Sequence, residues 1–208
     1  MEVKFDNIPQ SVSEIVERIT ARISASLAQY REIMPEFVDL TNLKRMVYYW
    51  FEVGNKLRIS DEKLVKLTEI FAFIYLAHEI HRRVLDETVP SERTEIQYRV
   101  LMGDYMYGNF FRELSRADLL QYLAPLAEII LAINEAALLN KQDNFVAEKV
   151  LLRKSFRLLG TIAGLPQDTV EALANLGEEI VEPLARLNQK EFSSKDINNL
   201  LKSLDYLK

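Results

Sequence analysis

The chain has 208 residues, of which 49% are hydrophobic, with a formal net charge of -5 and no cysteine. A mildly acidic chain has no excess of cations to neutralise a nucleic-acid backbone, so a nucleic-acid partner is not expected. Without cysteine there is no disulfide framework, zinc knuckle or thiol nucleophile, and the reducing cytosol is the expected compartment. This length and composition predict one compact domain over residues 1–208.

The beginning of the sequence shows no sign of export or anchoring. It lacks a basic segment followed by an apolar core. The apolar stretch from Ile70 to Ala77 is much shorter than the roughly 20 residues that a bilayer requires. We therefore expect a cytoplasmic protein without a transmembrane segment.

The low content of glycine and proline, six of each, predicts an all-α fold. Apolar residues recur three and four apart throughout the chain, as on helices that each bury one face. No short internal repeat is evident, so a helical bundle is favoured over a solenoid. The predicted helices, in chain order, cover residues 10–32, 40–56, 61–87, 91–114, 116–140, 145–164, 167–188 and 194–206.

Local signals mark several helix starts. Ser11 to Glu14 and Ser115 to Asp118 each resemble a capping box, in which the first and fourth side chains satisfy backbone donors. Asp61 after Ser60, and Asp168 after Pro166, place acidic groups at the positive end of a helix dipole. Pro125 and Pro183 fall inside predicted helices and are expected to kink or split them.

The stretch HEIHRRVLDE, residues 78–87, contains both histidines of the chain. His78 and His81 are three apart on one helix face and could bind a metal ion, but further ligands at suitable spacing are missing. The favoured interpretation is a helix with ion pairs four residues apart. These pairs join Glu79 to Arg83, Arg82 to Asp86, and Arg83 to Glu87.

A second notable block, RVLMGDYMYGNFFREL, begins at Arg99. Aromatic residues at helical spacing usually pack in a core, so this block taken alone predicts buried packing.

Taken together, the two blocks resemble trans-prenyl diphosphate synthases. Residues 77–86, AHEIHRRVLD, resemble the first aspartate-rich motif of that family, commonly ASLIHDDVID, and residues 100–111 resemble its downstream VLxGDY segment. The resemblance implies an all-α bundle. In that family, two facing aspartate-rich motifs hold magnesium ions against an allylic diphosphate.

The residues that matter for the chemistry depart from the family pattern. Arg82 and Arg83 stand where the first two aspartates are expected, and only Asp86 remains. Magnesium demands oxygen ligands, so guanidinium groups at these positions repel it. The segment GEEIVEPLARLNQKEF resembles the second motif. Asn188, Gln189 and Phe192 stand at its aspartate positions, so no facing pair of carboxylates remains there.

The phosphate-binding residues of the family are also replaced. A lysine–threonine pair falls on Glu148 and Lys149, and the diphosphate-binding Gly-Lys-x-x-Arg-Pro region is represented at best by Lys44 and Arg45. The chain is therefore expected to be catalytically inactive by itself, because it lacks both metal and phosphate ligands.

One branch of the superfamily has this character, namely the small subunit (component I) of bacterial two-component heptaprenyl and hexaprenyl diphosphate synthases, which supply menaquinone side chains. This chain resembles it in Ile33 to Asp39, in GDY followed by aromatics, and in Ile133-Asn134-Glu135. The resemblance implies a large catalytic subunit (component II) as partner. It places magnesium in that partner, and no cofactor in this chain.

The implied role is to support the activity of the large subunit and to set the length of its product. In homodimeric relatives the helix that carries GDY and the helix after it form much of the subunit contact. The residues predicted to form the partner interface or the tunnel wall are therefore Tyr105, Tyr107, Phe110, Phe111, Leu119, Leu120, Leu123 and Leu126.

Two alternatives remain open at this stage. Arg82, Arg83 and Lys44 could bind diphosphate directly in a weakly active enzyme, because guanidinium groups suit phosphate oxygens. The chain could instead be a helical regulatory module, perhaps a homodimer, that binds a lipid in the former cavity.

Overall fold

The computed structural model describes residues 40–86, 93–139 and 145–181, together with Glu14, Glu17, Arg18 and Ala21. These residues contain six α-helices, one short 3-10 helix (Leu120–Tyr122) and no strand. The predicted all-α fold is therefore confirmed. The α-helices are α1 (Leu40–Lys56), α2 (Asp61–Asp86), α3 (Arg93–Arg116), α4 (Leu123–Leu139), α5 (Val146–Ile162) and α6 (Gln167–Glu179).

Helix α2 is the central element of the described bundle. Every residue from Leu67 to Ile80 is buried, on all sides of the helix, and α2 packs against α1, α3 and α4. A helix that is apolar all round is stable only inside a larger core. The buried carboxylate of Glu69 lies on this stretch, where Arg18 Nε donates to it at 2.7 Å and Lys66 lies 3.6 Å away.

Trp50, the only tryptophan, joins three helices. Its fully buried ring lies on α1 and packs at 5.4 Å from the ring of Phe71 on α2. Its Nε1 donates a hydrogen bond of 2.8 Å to Ser155 Oγ on α5. Because both groups are buried, each satisfies a polar atom that would otherwise lie unpaired in the core.

Three helices end in the same way. Arg58, Asp118 and Gly164 follow α1, α3 and α5 and have positive φ angles of 59°, 54° and 72°. The next residue then donates its backbone N–H back to the helix, in the pairs Ile59 to Gly54, Leu119 to Leu114, and Leu165 to Gly160. This is the Schellman pattern, which returns an apolar side chain to the core and allows short turns.

The starts predicted at Asp61 and at Gln167 after Pro166 are confirmed. The capping box predicted from Ser115 to Asp118 is wrong, because α3 continues to Arg116 and Asp118 takes up the left-handed turn instead. Helix α4 consequently begins at Leu123, which puts Pro125 in its first turn. There the missing N–H has no helical acceptor, so the predicted kink does not arise.

Several predicted features lie outside the described residues. These are Pro183, the capping box from Ser11 to Glu14, most of the helix predicted over 10–32, and the helix over 194–206. Helix α6 ends at Glu179, nine residues before the predicted boundary at 188.

Candidate functional site

The candidate site lies along the second half of α2, where this helix packs on α3 and α4. Positions 82, 83 and 86 lie on the last turns of α2, whose final residue is Asp86. The side chains of Arg83 and Asp86 are outside the described set, as are Asn188, Gln189 and Phe192. Of the residues predicted at aspartate positions, Arg82 is therefore the one whose side chain the structure describes.

Arg82 pairs with Glu79, one turn earlier on α2. Its Nε donates to Glu79 Oε1 and its Nη2 to Oε2, both at 3.2 Å. The four-residue spacing predicted Arg83 as the partner of Glu79, and the side chain of Arg83 lies outside the described residues. The Glu79 side chain is only 9% exposed, so a carboxylate that faces the core is neutralised by the guanidinium above it.

His78 connects α2 to α4 and α3 through Asn134. Its Nδ1 lies 3.4 Å from Asn134 Oδ1, and Asn134 also hydrogen-bonds Tyr107 on α3. Burial lowers the pKa of His78, which keeps the imidazole neutral. The Nε2 of this buried ring has no hydrogen-bond partner among the described residues.

His81 faces α3 instead of the centre of the core. Its Nε2 lies 3.3 Å from the carbonyl oxygen of Val100 and 3.4 Å from Asp104 Oδ1. The ring also lies 5.6 Å from the ring of Tyr107. Gly103 permits this close approach, since a Cβ there would lie 2.2 Å from His81 Nε2.

These residues do not fit the magnesium ions that the resemblance implies. Arg82 places a cation where an anionic ligand is needed, and the carboxylate of Glu79 is already paired with it. Within the described parts of the chain, no group of three His, Asp or Glu side chains is arranged to hold a metal ion. The two histidines also point to different neighbours, His78 to α4 and His81 to α3.

Two residues at positions where the resemblance expects phosphate-binding residues lie together in a separate pocket. Arg45 on α1 and Glu148 on α5 line one small pocket, together with Asn42 and Tyr49. The structure thus brings together two regions that the sequence resemblance had paired. A carboxylate at this wall opposes the binding of a diphosphate, because like charges repel in a confined site.

The residues predicted for the partner interface fall into two groups. Phe110, Leu119 and Leu126 are buried in the chain's own core, and Tyr107 is half-buried beside Asn134. We therefore narrow the predicted interface to the four whose side chains reach the surface. These are Tyr105, Phe111, Leu120 and Leu123.

Exposed apolar side chains are concentrated on the same two elements. Among the described residues, eleven of the twelve large exposed hydrophobic side chains lie on α3 or in residues 120–139, and Phe145 is the twelfth. Leu101, Leu131 and Leu138, each more than half exposed, belong to this set and were not predicted. Apolar surface of this extent marks an interaction site in many proteins.

The stretch Leu120–Leu139 has a further property that the sequence reading overlooked. Within the described residues it is the one helical stretch long and apolar enough to cross a membrane, judged by length and composition alone. Only 22% of its most apolar window is buried, so burial in this chain does not fully explain its apolar composition.

A search of solved structures finds similarity to a decaprenyl diphosphate synthase from Rhodobacter capsulatus. The TM-score is 0.64 and the sequence identity 18%, and the match covers 91% of this chain and 69% of that chain. The chain therefore has the fold of a trans-prenyl diphosphate synthase. No protein-family model matches the chain, and no curated protein shows significant similarity.

Proposed function

We propose that this chain is a non-catalytic subunit of a heteromeric trans-polyprenyl diphosphate synthase of the heptaprenyl type. A related isoprenoid role is supported by the fold, which resembles that of the solved decaprenyl diphosphate synthase. The finer role rests on the site, since a shared fold alone does not fix an activity.

The observation that carries the proposal is the pair between Arg82 and Glu79. A bidentate guanidinium–carboxylate pair occupies the first position at which the resemblance expects a magnesium ligand. Without Arg82, the buried carboxylate of Glu79 would lose its ionic partner. Arg82 therefore stabilises the helix at a position where an aspartate would bind metal. The reaction then requires a metal site on another chain.

The exposed apolar surface of α3 and α4 supports the second half of the proposal, a protein partner. Tyr105 and Phe111 on α3, and Leu120 and Leu123 at the start of α4, supply aromatic and aliphatic side chains of the kind found in obligate interfaces. We propose that a large catalytic subunit, which holds magnesium on intact aspartate-rich motifs, packs here. The former cavity then contributes a wall of the product tunnel and limits product length in menaquinone side-chain synthesis.

The weakly active enzyme is less well supported. A diphosphate at Arg82 would lie beside the carboxylate of Glu79, which already pairs with the Nε and Nη2 edge of the guanidinium and repels an anion. The carboxylate of Glu148 in the pocket with Arg45 adds a second unfavourable charge.

Mixing the purified chain with a catalytic subunit from the same organism tests the proposal. The assay measures incorporation of isopentenyl diphosphate onto an allylic diphosphate with magnesium, together with product length. We expect no product from this chain alone and full-length product from the mixture. Product from this chain alone, or a catalytic subunit whose rate and product length do not change on mixing, contradicts the proposal.

A matched pair of variants locates the contact. Phe111 is 53% exposed on α3, whereas Phe145 is 37% exposed just before α5 and lines a pocket with Arg45 and Tyr49 of α1. Phe111→Ser should weaken the complex by about tenfold or more, as expected for an aromatic anchor. Phe145→Ser should leave it unchanged, as measured by titration of one subunit into the other.

A further inference from the structure

The exposed residues of α4 are regularly spaced, and they include charged residues although the helix as a whole is apolar. Residues at alternating spacings of four and three follow one line along the helix, and all of them are exposed. This spacing is that of a heptad seam, the line along which two helices pack. We call the set the α4 outer seam, and its members are Ala124, Glu128, Leu131, Glu135 and Leu138.

Two acidic residues interrupt this seam at equivalent heptad positions. Glu128 and Glu135 are seven residues apart, and neither forms an ion pair with any other described residue. Leu131 lies between them and is 59% exposed, and Leu138 one turn further is 58% exposed. Apolar residues therefore alternate with unpaired carboxylates along the whole line.

The pattern disfavours pairing of the seam with a second copy of itself. In a parallel pair, equivalent positions meet, so Glu128 and Glu135 would each face the same glutamate of the copy. In an antiparallel pair, each glutamate would pack against a leucine or alanine position and lose water without gaining a partner. Both arrangements therefore bury a carboxylate unfavourably.

A lipid bilayer is disfavoured for the same reason. Glu128 and Glu135 both fall within the apolar stretch Leu120–Leu139, so insertion would carry two carboxylates into hydrocarbon. Charge complementarity instead requires basic groups opposite the two glutamates and apolar side chains opposite Leu131 and Leu138.

We infer that the α4 outer seam docks a helix of a different chain that carries two basic residues one heptad apart on an apolar stripe. This deepens the proposed function, because it specifies the surface that the catalytic subunit presents. Glu128 and Glu135 select that partner over a second copy of this chain, in the way that polar residues in a seam set partner choice elsewhere.

Self-association of the isolated chain tests the selection step without any partner. The variant Glu128→Leu with Glu135→Leu makes the seam continuously apolar. Its dimer should be roughly 100-fold tighter than that of the wild type, about tenfold for each of the two glutamate positions at which carboxylates are no longer buried. Sedimentation velocity measures the two dissociation constants.

A matched control separates this effect from a general rise in hydrophobicity. Glu62 and Glu179 are exposed on α2 and α6, away from the seam, and replacing both by leucine changes net charge equally. That control variant should have the same dimer dissociation constant as the wild type. If the seam variant is poorly folded by circular dichroism, Glu128→Gln with Glu135→Gln removes both charges at nearly constant size and should still self-associate more tightly than wild type.

Three results would overturn the inference. The first is a seam variant whose dissociation constant equals that of the control. The second is a wild-type chain that already dimerises through the seam, shown by rapid disulfide formation in Leu131→Cys but not in Ala172→Cys on α6; the natural chain has no cysteine to interfere. The third is co-flotation of the wild type with phosphatidylglycerol–phosphatidylethanolamine vesicles.

The catalytic subunit itself tests the charge of the partner. Glu128→Lys with Glu135→Lys should weaken binding of the catalytic subunit at least roughly 100-fold, because cations then face cations. The control variant Glu62→Lys with Glu179→Lys should not change this binding. Unchanged binding of the seam variant contradicts the inference. If the mixture of the two subunits is active but the lysine substitutions in the seam do not weaken binding, the inference about the seam is refuted. The proposed function is then retained.

Discussion

Gly177 on α6 lies so close to the backbone of α5 that a single methyl group should force the two helices apart. A Cβ at this position would lie 2.6 Å from the carbonyl oxygen of Leu152 and 2.8 Å from its carbonyl carbon. Backbone atoms cannot rotate away as the end of a side chain can. The oxygen contact falls 0.8 Å short of the 3.4 Å at which ordinary contact begins.

The expected size of the effect follows from two opposing terms. Overpacking of this kind costs about 1–3 kcal/mol, while alanine gains about 1 kcal/mol over glycine in helix propensity. Because the clash is with backbone, we place the overpacking cost near the upper end of that range, so the net loss for Gly177→Ala is about 2 kcal/mol after the gain in helix propensity. In a chain of this length, each kcal/mol lowers Tm by about 2–4 °C.

Gly108 provides the matched control, since it is an exposed helical glycine and a Cβ there would meet nothing within 4 Å. Gly108→Ala should therefore stabilise the chain by about 0.5–1 kcal/mol. Denaturant unfolding followed by the fluorescence of Trp50 measures both variants. A Gly177→Ala protein as stable as Gly108→Ala would refute the helix contact described here.

Three further predictions follow from the core. Ser155→Ala leaves the Trp50 N–H buried without its acceptor and should cost about 1–3 kcal/mol in denaturant unfolding; Thr161→Ala, which removes an exposed hydroxyl on the same helix, should change stability by less than about 0.5 kcal/mol. Burial holds the pKa of His78 below its usual 6.5, so its contribution to stability is complete above pH 6.5 and is lost as the pH falls toward the lowered folded-state pKa. His78→Gln should remove this part of the pH dependence and His81→Gln should retain it, as shown by unfolding at stepped pH; equal profiles for the two variants would contradict the assignment. Gly103→Ala should displace the His81 ring from Val100, visible as a changed imidazole resonance in NMR, and an unshifted resonance would contradict the close approach.

The helical fold could be predicted from the sequence because its signals are local. The start of α2 at Asp61 and of α6 at Gln167 follow from residues next to them in the chain. The end of α3 could not be predicted in this way. Ser115 and Asp118 have the spacing of a capping box, but the left-handed turn at Asp118 returns Leu119 to the core and is decided by packing.

The candidate site was only partly predictable, because neighbours in space decide what each side chain does. Phe110 and Phe111 are adjacent in sequence, yet Phe110 is fully buried and Phe111 is 53% exposed. Asn134 belongs to the site because the fold places α4 beside His78. The pairing of Arg82 with Glu79 likewise depends on the burial of Glu79 where the end of α2 meets the core.

The exposed side of α4 was missed for a different reason. This helix is apolar on both its inner side, at Leu126, Ile129 and Ile133, and its outer side. Periodicity cannot distinguish the two faces when both are apolar. Exposure in the folded chain is what separates the core face from the face that we propose for a partner.

We propose that the arginine-bearing end of α2 cannot hold the magnesium ions that the sequence resemblance implies. Electron paramagnetic resonance of Mn²⁺ titrated into the isolated chain with an allylic diphosphate tests it most directly, since manganese and magnesium favour the same oxygen ligands. With isopentenyl diphosphate also present, we predict only the signals that Mn²⁺ and these diphosphates give without protein, and no elongated prenyl product. A stoichiometric signal of protein-bound Mn²⁺ that appears only in Arg82→Asp would agree with this account, whereas the same signal in the wild-type chain, with elongated product, would contradict it.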